Sequence, residues 1–343
     1  MNKESTKFVI QWHLTHKCNL RCKHCYQEEY EKDLDFKELI YIFSQIKTFF
    51  NKNNYKGHIN FTGGEPLICE HLCGLTSFCD NNDITYGILT NGTMINDRVI
   101  RNLKNCKNLS FVQVSLDGYR EVHDSIRGKG SFDKAVSGLK RLKRAGIETM
   151  VSFTASNTNF RELKAVIRLC QKIGVDRFWT DRLVPMGNNS LDIMTNTIFK
   201  HYISILRKEI KRNEFLRKLK LSKTYIHNNR AMQFMCNCDR YRNNRRDSVY
   251  KCSAGKRLLA ILADGKLLPC RRLPIELGNL TNESLSEIIE NSEVLSKIIN
   301  DIDTCEDCNN CIFKDKCNSG AKCLTYAVKG EISGKDINCL MER

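Results

Sequence analysis

Short apolar runs alternate with amphipathic stretches through the first half of the chain. The runs at 8–14, 58–62, 85–89, 111–116, 148–155 and 177–183 read as strands. Between them, 35–51, 67–80, 95–105, 131–145 and 160–173 carry the 3.6-residue period that gathers apolar side chains on one helical face. Parallel strands need a crossover, so this repetition predicts a parallel sheet with helices packed outside it. Six such units fit a partial barrel better than a closed eight-fold one. The expected fold is α/β, a partial (β/α)6 TIM-like barrel with a small loop-rich C-terminal domain. In such folds the chemistry gathers at the C-terminal ends of the strands.

The pattern then changes twice. Residues 192–251 read as one long helix from Ile193 to about Leu221, followed by a polar segment rich in Arg and Asn. Lys208, Lys211, Arg212, Arg217, Lys218 and Lys220 crowd the helix, which reads as a connector with a solvated basic face or a docking surface for an acidic partner. From Cys252 onward, 258–262 and 266–268 flank Asp264-Gly265, a hairpin signal, and a helix follows near 283–300. The last forty residues hold six cysteines and little periodicity. A segment so loop-rich needs staples, and metal clusters are the available kind. The expected organisation is a barrel over 1–190, a basic helical linker over 191–235 and a cysteine-bearing domain over 236–343.

Composition narrows the class. The hydrophobic fraction of 41% allows a substantial core in 343 residues. No run of eighteen apolar residues appears, so no membrane span is expected. The N-terminus is polar and unlike a signal peptide, which points to the cytoplasm. Eighteen cysteines at short intervals, without an export signal, favour metal over disulfides. The net charge of +16 suits an anionic partner and equally suits a lysine-rich proteome. No zinc-finger, homeodomain or RNA-binding signature favours nucleic acid.

Cys18-x3-Cys22-x2-Cys25 follows directly on the first strand. Three thiolates can hold three irons of a cubane cluster and leave the fourth open, as catalysis needs. A zinc site completed by His24 or His16 is the alternative. Further on come Ile59-Asn60-Phe61-Thr62-Gly63-Gly64-Glu65-Pro66, Thr90-Asn91-Gly92-Thr93, Val114-Ser115-Leu116-Asp117-Gly118, Arg127-Gly128 before Gly130-Ser131-Phe132, and Arg182 before Pro185-Met186-Gly187. Each is weak alone. Together, in this order, they resemble the radical S-adenosylmethionine superfamily over residues 8–187. His24 departs mildly, since that position is often aromatic. The resemblance implies that Cys18, Cys22 and Cys25 hold a catalytic 4Fe–4S cluster. It implies cofactor contacts from Gly63, Gly64, Glu65, Asn91, Ser115, Asp117, Arg127 and Arg182. It also implies the reaction: S-adenosylmethionine chelates the open iron, one electron breaks a C–S bond, and the 5′-deoxyadenosyl radical removes a hydrogen from an unactivated position.

Cys252-x12-Gly265-x4-Cys270, then Cys308-x2-Cys311-x5-Cys317 and Cys339, resemble the SPASM extension over 236–343. That likeness implies two auxiliary 4Fe–4S clusters, a distal one on Cys308, Cys311, Cys317 and Cys339 and a proximal one on Cys252 and Cys270. Relatives often place a further cysteine where Ala321 stands. Here Cys323, Cys236 or Cys238 would complete the proximal cluster, or its fourth iron stays open. Cys305 reads as a bystander. Two zinc knuckles are the alternative, but only Cys305, Cys308 and Cys311 give the paired spacing that zinc prefers. Cys69, Cys73, Cys79, Cys106 and Cys170 read as buried small hydrophobes.

SPASM relatives mostly act on peptides or proteins. Arg271-Arg272 stand where sulfatase-maturing relatives usually have an acidic residue. Their place suits a basic wall for a peptide carboxylate, or an offset to the cluster's negative charge. With only 17 residues before Cys18, a leader peptide would be bound by the barrel, the linker or a separate leader-binding protein. The expected activity is that of an oxidoreductase modifying a ribosomally made peptide by a thioether, a carbon–carbon crosslink or epimerisation. A flavodoxin- or ferredoxin-type protein would donate the electron. The alternatives are an anaerobic sulfatase-maturing enzyme, a redox-cofactor or haem-pathway enzyme and, outside enzymes, an iron–sulfur electron-transfer protein.

Overall fold

The computed structural model describes residues 6–27, 32–186, 193–227, 252–300, 305–311, 317 and 319–340. The first six strands are β1 (Lys7–His13), β2 (Lys56–Thr62), β3 (Thr85–Thr90), β4 (Leu109–Ser115), β5 (Thr149–Ala155) and β6 (Arg177–Arg182). They pair in sequence order, all parallel. The helices α1 (Phe36–Lys52), α2 (Leu72–Asn81), α3 (Asp97–Lys104), α5 (Ser131–Arg144) and α6 (Leu163–Ile173) lie between them, so the barrel units are those the sequence predicts. β5 is buried at six of seven positions, as expected of a parallel strand covered on both faces.

Local sequence explains where the helices begin. Asp35 accepts from the backbone N–H of Glu38 at 2.9 Å, and Glu38 accepts from that of Asp35 at 2.8 Å. This reciprocal cap starts α1. Leu39, Ile42, Phe43, Ile46 and Phe50 then bury one face of the helix. One further helix, α4 (Arg120–Arg127), escapes the apolar pattern, because only His123 and Ile126 of its eight residues are buried.

The helix expected as a connector is α7 (Asn196–Lys218), capped by Thr195. Its basic residues do face solvent at Lys208, Lys211, Arg217, Lys218 and Lys220. Its other face buries Phe199, Tyr202, Ile203 and Leu206 in the main core. The short strand β7 (Tyr225–Ile226) follows and pairs parallel with β6. Residues 196–226 thus form a seventh helix–strand unit of the barrel layer rather than a linker. Periodicity along one helix cannot distinguish the two, because both have one wet face.

The C-terminal part joins the same sheet. β8 (Leu258–Ile261) pairs parallel with β1, β9 (Lys266–Leu268) pairs antiparallel with β8 through the Asp264-Gly265 turn, and β10 (Gly278–Asn279) pairs with β9. The result is one ten-stranded sheet in the order β10-β9-β8-β1-β2-β3-β4-β5-β6-β7. The helix expected near 283–300 is two, α8 (Leu285–Asn291) and α9 (Glu293–Asn300), separated by the extended Ser292. A last helix, α10 (Lys322–Lys329), lies where the sequence suggested only loops. Cys79 and Cys170 are buried as expected, whereas Cys73 is exposed and Cys69 and Cys106 are half-buried. No helix among the described residues is long and apolar enough to cross a membrane.

Candidate active site

A cavity of about 250 Å³ opens at the C-terminal ends of β1–β6. Gln11, Gln113 and Trp179 line its depth, with Trp179 Nε1 donating to Gln113 Oε1 at 2.7 Å. Cys18, Cys22 and Cys25 all face it from the loop after β1.

That loop is held against the end of β2. The backbone N–H of Gly64 donates to Thr15 O at 2.7 Å, and that of Glu65 donates to Lys17 O at 2.9 Å. A Cβ on Gly64 would lie 2.3 Å from Lys17 O. One on Gly63, whose φ is +138°, would lie 2.6 Å from Thr15 O. Only glycine allows this close approach of the two backbones.

The donor set fits an iron–sulfur cluster. Burial pushes the Cys22 thiol up to about 11; Arg127 opposes this, and Cys25 and Cys18 add to it. Arg127 Nη1 lies 4.0 Å from Cys22 Sγ. Three soft thiols facing one cavity from one short loop suit a cubane.

The expected cofactor residues divide into two groups. Gly63, Gly64, Asn91, Ser115, Arg127 and Arg182 line the cavity; Glu65 and Asp117 lie behind its wall. Glu65 is fully buried and accepts from Thr90 Oγ1 at 2.6 Å and from the Asn91 N–H at 2.8 Å. Burial raises its pKa, against these donors. Asn91 in turn donates to Asn19 Oδ1 on the cysteine loop at 2.9 Å. Glu65 therefore acts on the site through the end of β3.

Asp117 accepts from Arg127 Nε at 2.5 Å and from the Thr154 N–H at 2.8 Å, and its Oδ2 lies 3.2 Å from His24 Nε2. Burial alone would raise its pKa, but Arg127 and then His24 hold the carboxyl well below the usual range. The carboxylate thus fixes both the histidine before Cys25 and the arginine beside Cys22. Arg182 borders the cavity, but its guanidinium is turned away from it. It grips Asp336 at 2.7 and 2.8 Å and donates to Asn338 at 3.1 Å. Sequence reading missed the partnership of His24 with Asp117 and the Trp179–Gln113 floor; neither carries a local signal, since each joins residues from different strands or from the loops that follow them.

A further part of the lining comes from beyond β9. Arg272 donates to Asp181 at 2.6 Å and to the Arg182 carbonyl at 2.7 Å. Arg271 donates to the Tyr26 carbonyl at 2.9 Å and lies 4.2 Å over the Tyr26 ring. Cys252, Cys270 and Cys323 share a small apolar cluster with Val184, Met186 and Leu273. Burial raises Cys323 to about 12, Arg272 opposes this, and Cys252 and Cys270 add to it. Cys236 and Cys238, the other possible ligands, lie outside the described residues. Burial also raises Cys317 to about 12, with Asp336, Cys339, Cys308 and Cys311 adding. Cys305 is buried, and its Sγ lies 2.6 Å from that of Cys308.

Residues 12–170 match the radical SAM superfamily, and residues 252–312 match SPASM, an iron-sulfur cluster-binding domain. The AdoMet-dependent heme synthase of Methanosarcina barkeri is 24% identical over 97% of this chain and 96% of its own length. The Fe-coproporphyrin III synthase of the same organism is 34% identical over 54% of this chain, and the match spans 46% of that protein. Among solved structures, Streptococcus suis SuiB bound to precursor peptide SuiA superposes with a TM-score of 0.78 at 16% identity, over 98% of this chain and 76% of SuiB. At that identity the likeness is one of fold.

Proposed function

The chain belongs to the radical SAM superfamily and carries a SPASM domain behind its barrel, and from that premise we propose that it is an oxidoreductase modifying a peptide substrate. A 4Fe–4S cluster at Cys18, Cys22 and Cys25, with S-adenosylmethionine, supplies the 5′-deoxyadenosyl radical for hydrogen removal. Gly63, Gly64, Asn91, Ser115 and Arg127 border the space assigned to the cofactor. Arg127 is oriented by Asp117, while Glu65 holds Asn91 in place. Cys252, Cys270 and Cys323 hold the proximal auxiliary cluster, and Cys308, Cys311, Cys317 and Cys339 the distal one. An acidic flavodoxin- or ferredoxin-type donor suits the basic surface of the chain.

One observation carries the peptide reading. The same cavity of about 250 Å³ is lined by the first three cysteines and by Arg271 and Arg272. That space admits one flexible arm of a substrate rather than a folded body, and a peptide side chain is such an arm. The SuiB complex, with a peptide bound to the same fold, agrees with this. A second reading rests on the heme synthase likeness, which spans nearly the whole of both chains. There the arm would be a carboxylate-bearing side chain of a tetrapyrrole.

Anaerobic reconstitution, then reduction with S-adenosylmethionine present, tests both. We expect iron and sulfide for three clusters, release of 5′-deoxyadenosine, and faster release with short peptides encoded beside the gene. Stimulation by iron-coproporphyrin III alone would transfer the assignment to the tetrapyrrole. Intact clusters without 5′-deoxyadenosine would end both readings.

A further inference from the structure

A second chamber of about 340 Å³ lies behind the active cavity, and Tyr26 and Arg271 form the wall that the two share. His13 and His16, at and just past the end of β1, and Asp264 and Lys266, from the β8–β9 turn, contribute to the rest. The proposed chemistry uses none of these four residues.

Among the described residues, the positive charge of the chamber is not fully paired. Lys266 is paired with Asp264 at 3.0 Å, and His16 Nδ1 lies 3.1 Å from Asp33. Arg271 makes no ion pair with any described residue, and of its N–H groups only Nη2 is engaged, on the Tyr26 carbonyl. The chamber also has an orphan. His13 is 4% exposed, and its Nε2 has no hydrogen-bond partner. Burial, then Arg271 and His16, hold its pKa well below the usual imidazole value, so the ring is neutral, and in the Nε2–H tautomer it has one N–H to give. An unsatisfied buried polar group destabilises the fold, and an acceptor in the chamber would relieve that cost. A guanidinium fork beside a neutral imidazole donor matches a carboxylate.

We propose that this chamber binds a carboxylate carried on an arm of the substrate, with Arg271 and His13 as donors and Tyr26 as the partition that the arm passes. The anion site stands on the chamber itself; its assignment to a substrate arm rests on the reading above.

The test uses the reconstituted full chain and follows its thermal midpoint against added hexanoate or acetate, with chloride holding ionic strength constant. Binding to the folded state raises the midpoint with ligand concentration. We expect hexanoate to act saturably and more tightly than acetate, and Arg271→Gln and His13→Phe each to weaken it tenfold or more. Unchanged affinity in Arg271→Gln would overturn the site, even if His13→Phe fails to fold. Equal stabilisation by inorganic phosphate would overturn the carboxylate assignment. Acetate binding as tightly as hexanoate would mean a free small anion and overturn the substrate arm. None of these readouts needs S-adenosylmethionine cleavage, so failure of the chamber and failure of the proposed activity are separately visible.

Discussion

At the scale of single residues, the site is built by buried carboxylates that never reach its cavity. Glu65 receives three donors that all need an acceptor, from Thr90, Asn91 and Leu67. Glu65→Gln turns part of that acceptor into a donor and strands a buried N–H. It should cost about 1–3 kcal/mol in chemical denaturation; an unchanged midpoint would show that Asn91 finds another partner. His58 gives a pH dependence. Burial holds its pKa near 4, against a usual 6.5. Between those values the unfolded chain binds a proton that the folded chain does not, so stability falls as pH falls through that window. His58→Phe should flatten the slope of thermal midpoint against pH from 6.5 to 4.5. The type of residue at these positions was legible in the sequence. That Glu65 and Asp117 act at one remove was not, because a motif names neighbours along the chain and not the direction in which a carboxylate points.

At the scale of elements, the strand–helix alternation was legible because each unit buries its own apolar face. α4 was not, because its few buried residues leave no stripe. α7 was seen as a helix but not as a wall of the barrel. Leu206→Ala, at a fully buried position, should therefore cost about 2–5 kcal/mol, whereas a solvated connector would tolerate it. The end of β2 gives a sharper case. Gly64→Ala places a methyl against Lys17 O, a backbone atom that cannot swing aside. The folded protein should then lose the iron held by the first cysteine loop and keep that of the C-terminal clusters, as read by iron content and circular dichroism together.

At the scale of the whole molecule, the C-terminal segment is part of the barrel's structure. β8 extends the sheet beyond β1, and Arg182 at the end of β6 is locked to Asp336 near the C-terminus, with 3% of its side chain exposed. Removing one partner of a buried pair leaves the other charge stranded. Asp336→Ala should cost about 3–5 kcal/mol and lower a single unfolding transition. Two separate transitions in the unaltered chain would contradict that coupling.

The sequence alone determined the chemistry's raw material: the spacing of Cys18, Cys22 and Cys25, the glycines after β2, and the later cysteines that mark a second metal-binding region. These are local patterns, fixed by what a short stretch of backbone must do. The tertiary structure alone gathered Cys323 with Cys252 and Cys270 in one apolar cluster and set Cys305 against Cys308. It also turned Arg182 toward Asp336 and set Tyr26 against Arg271. Each of these contacts closes a long loop of chain, and such a contact depends on the packing of everything between its ends.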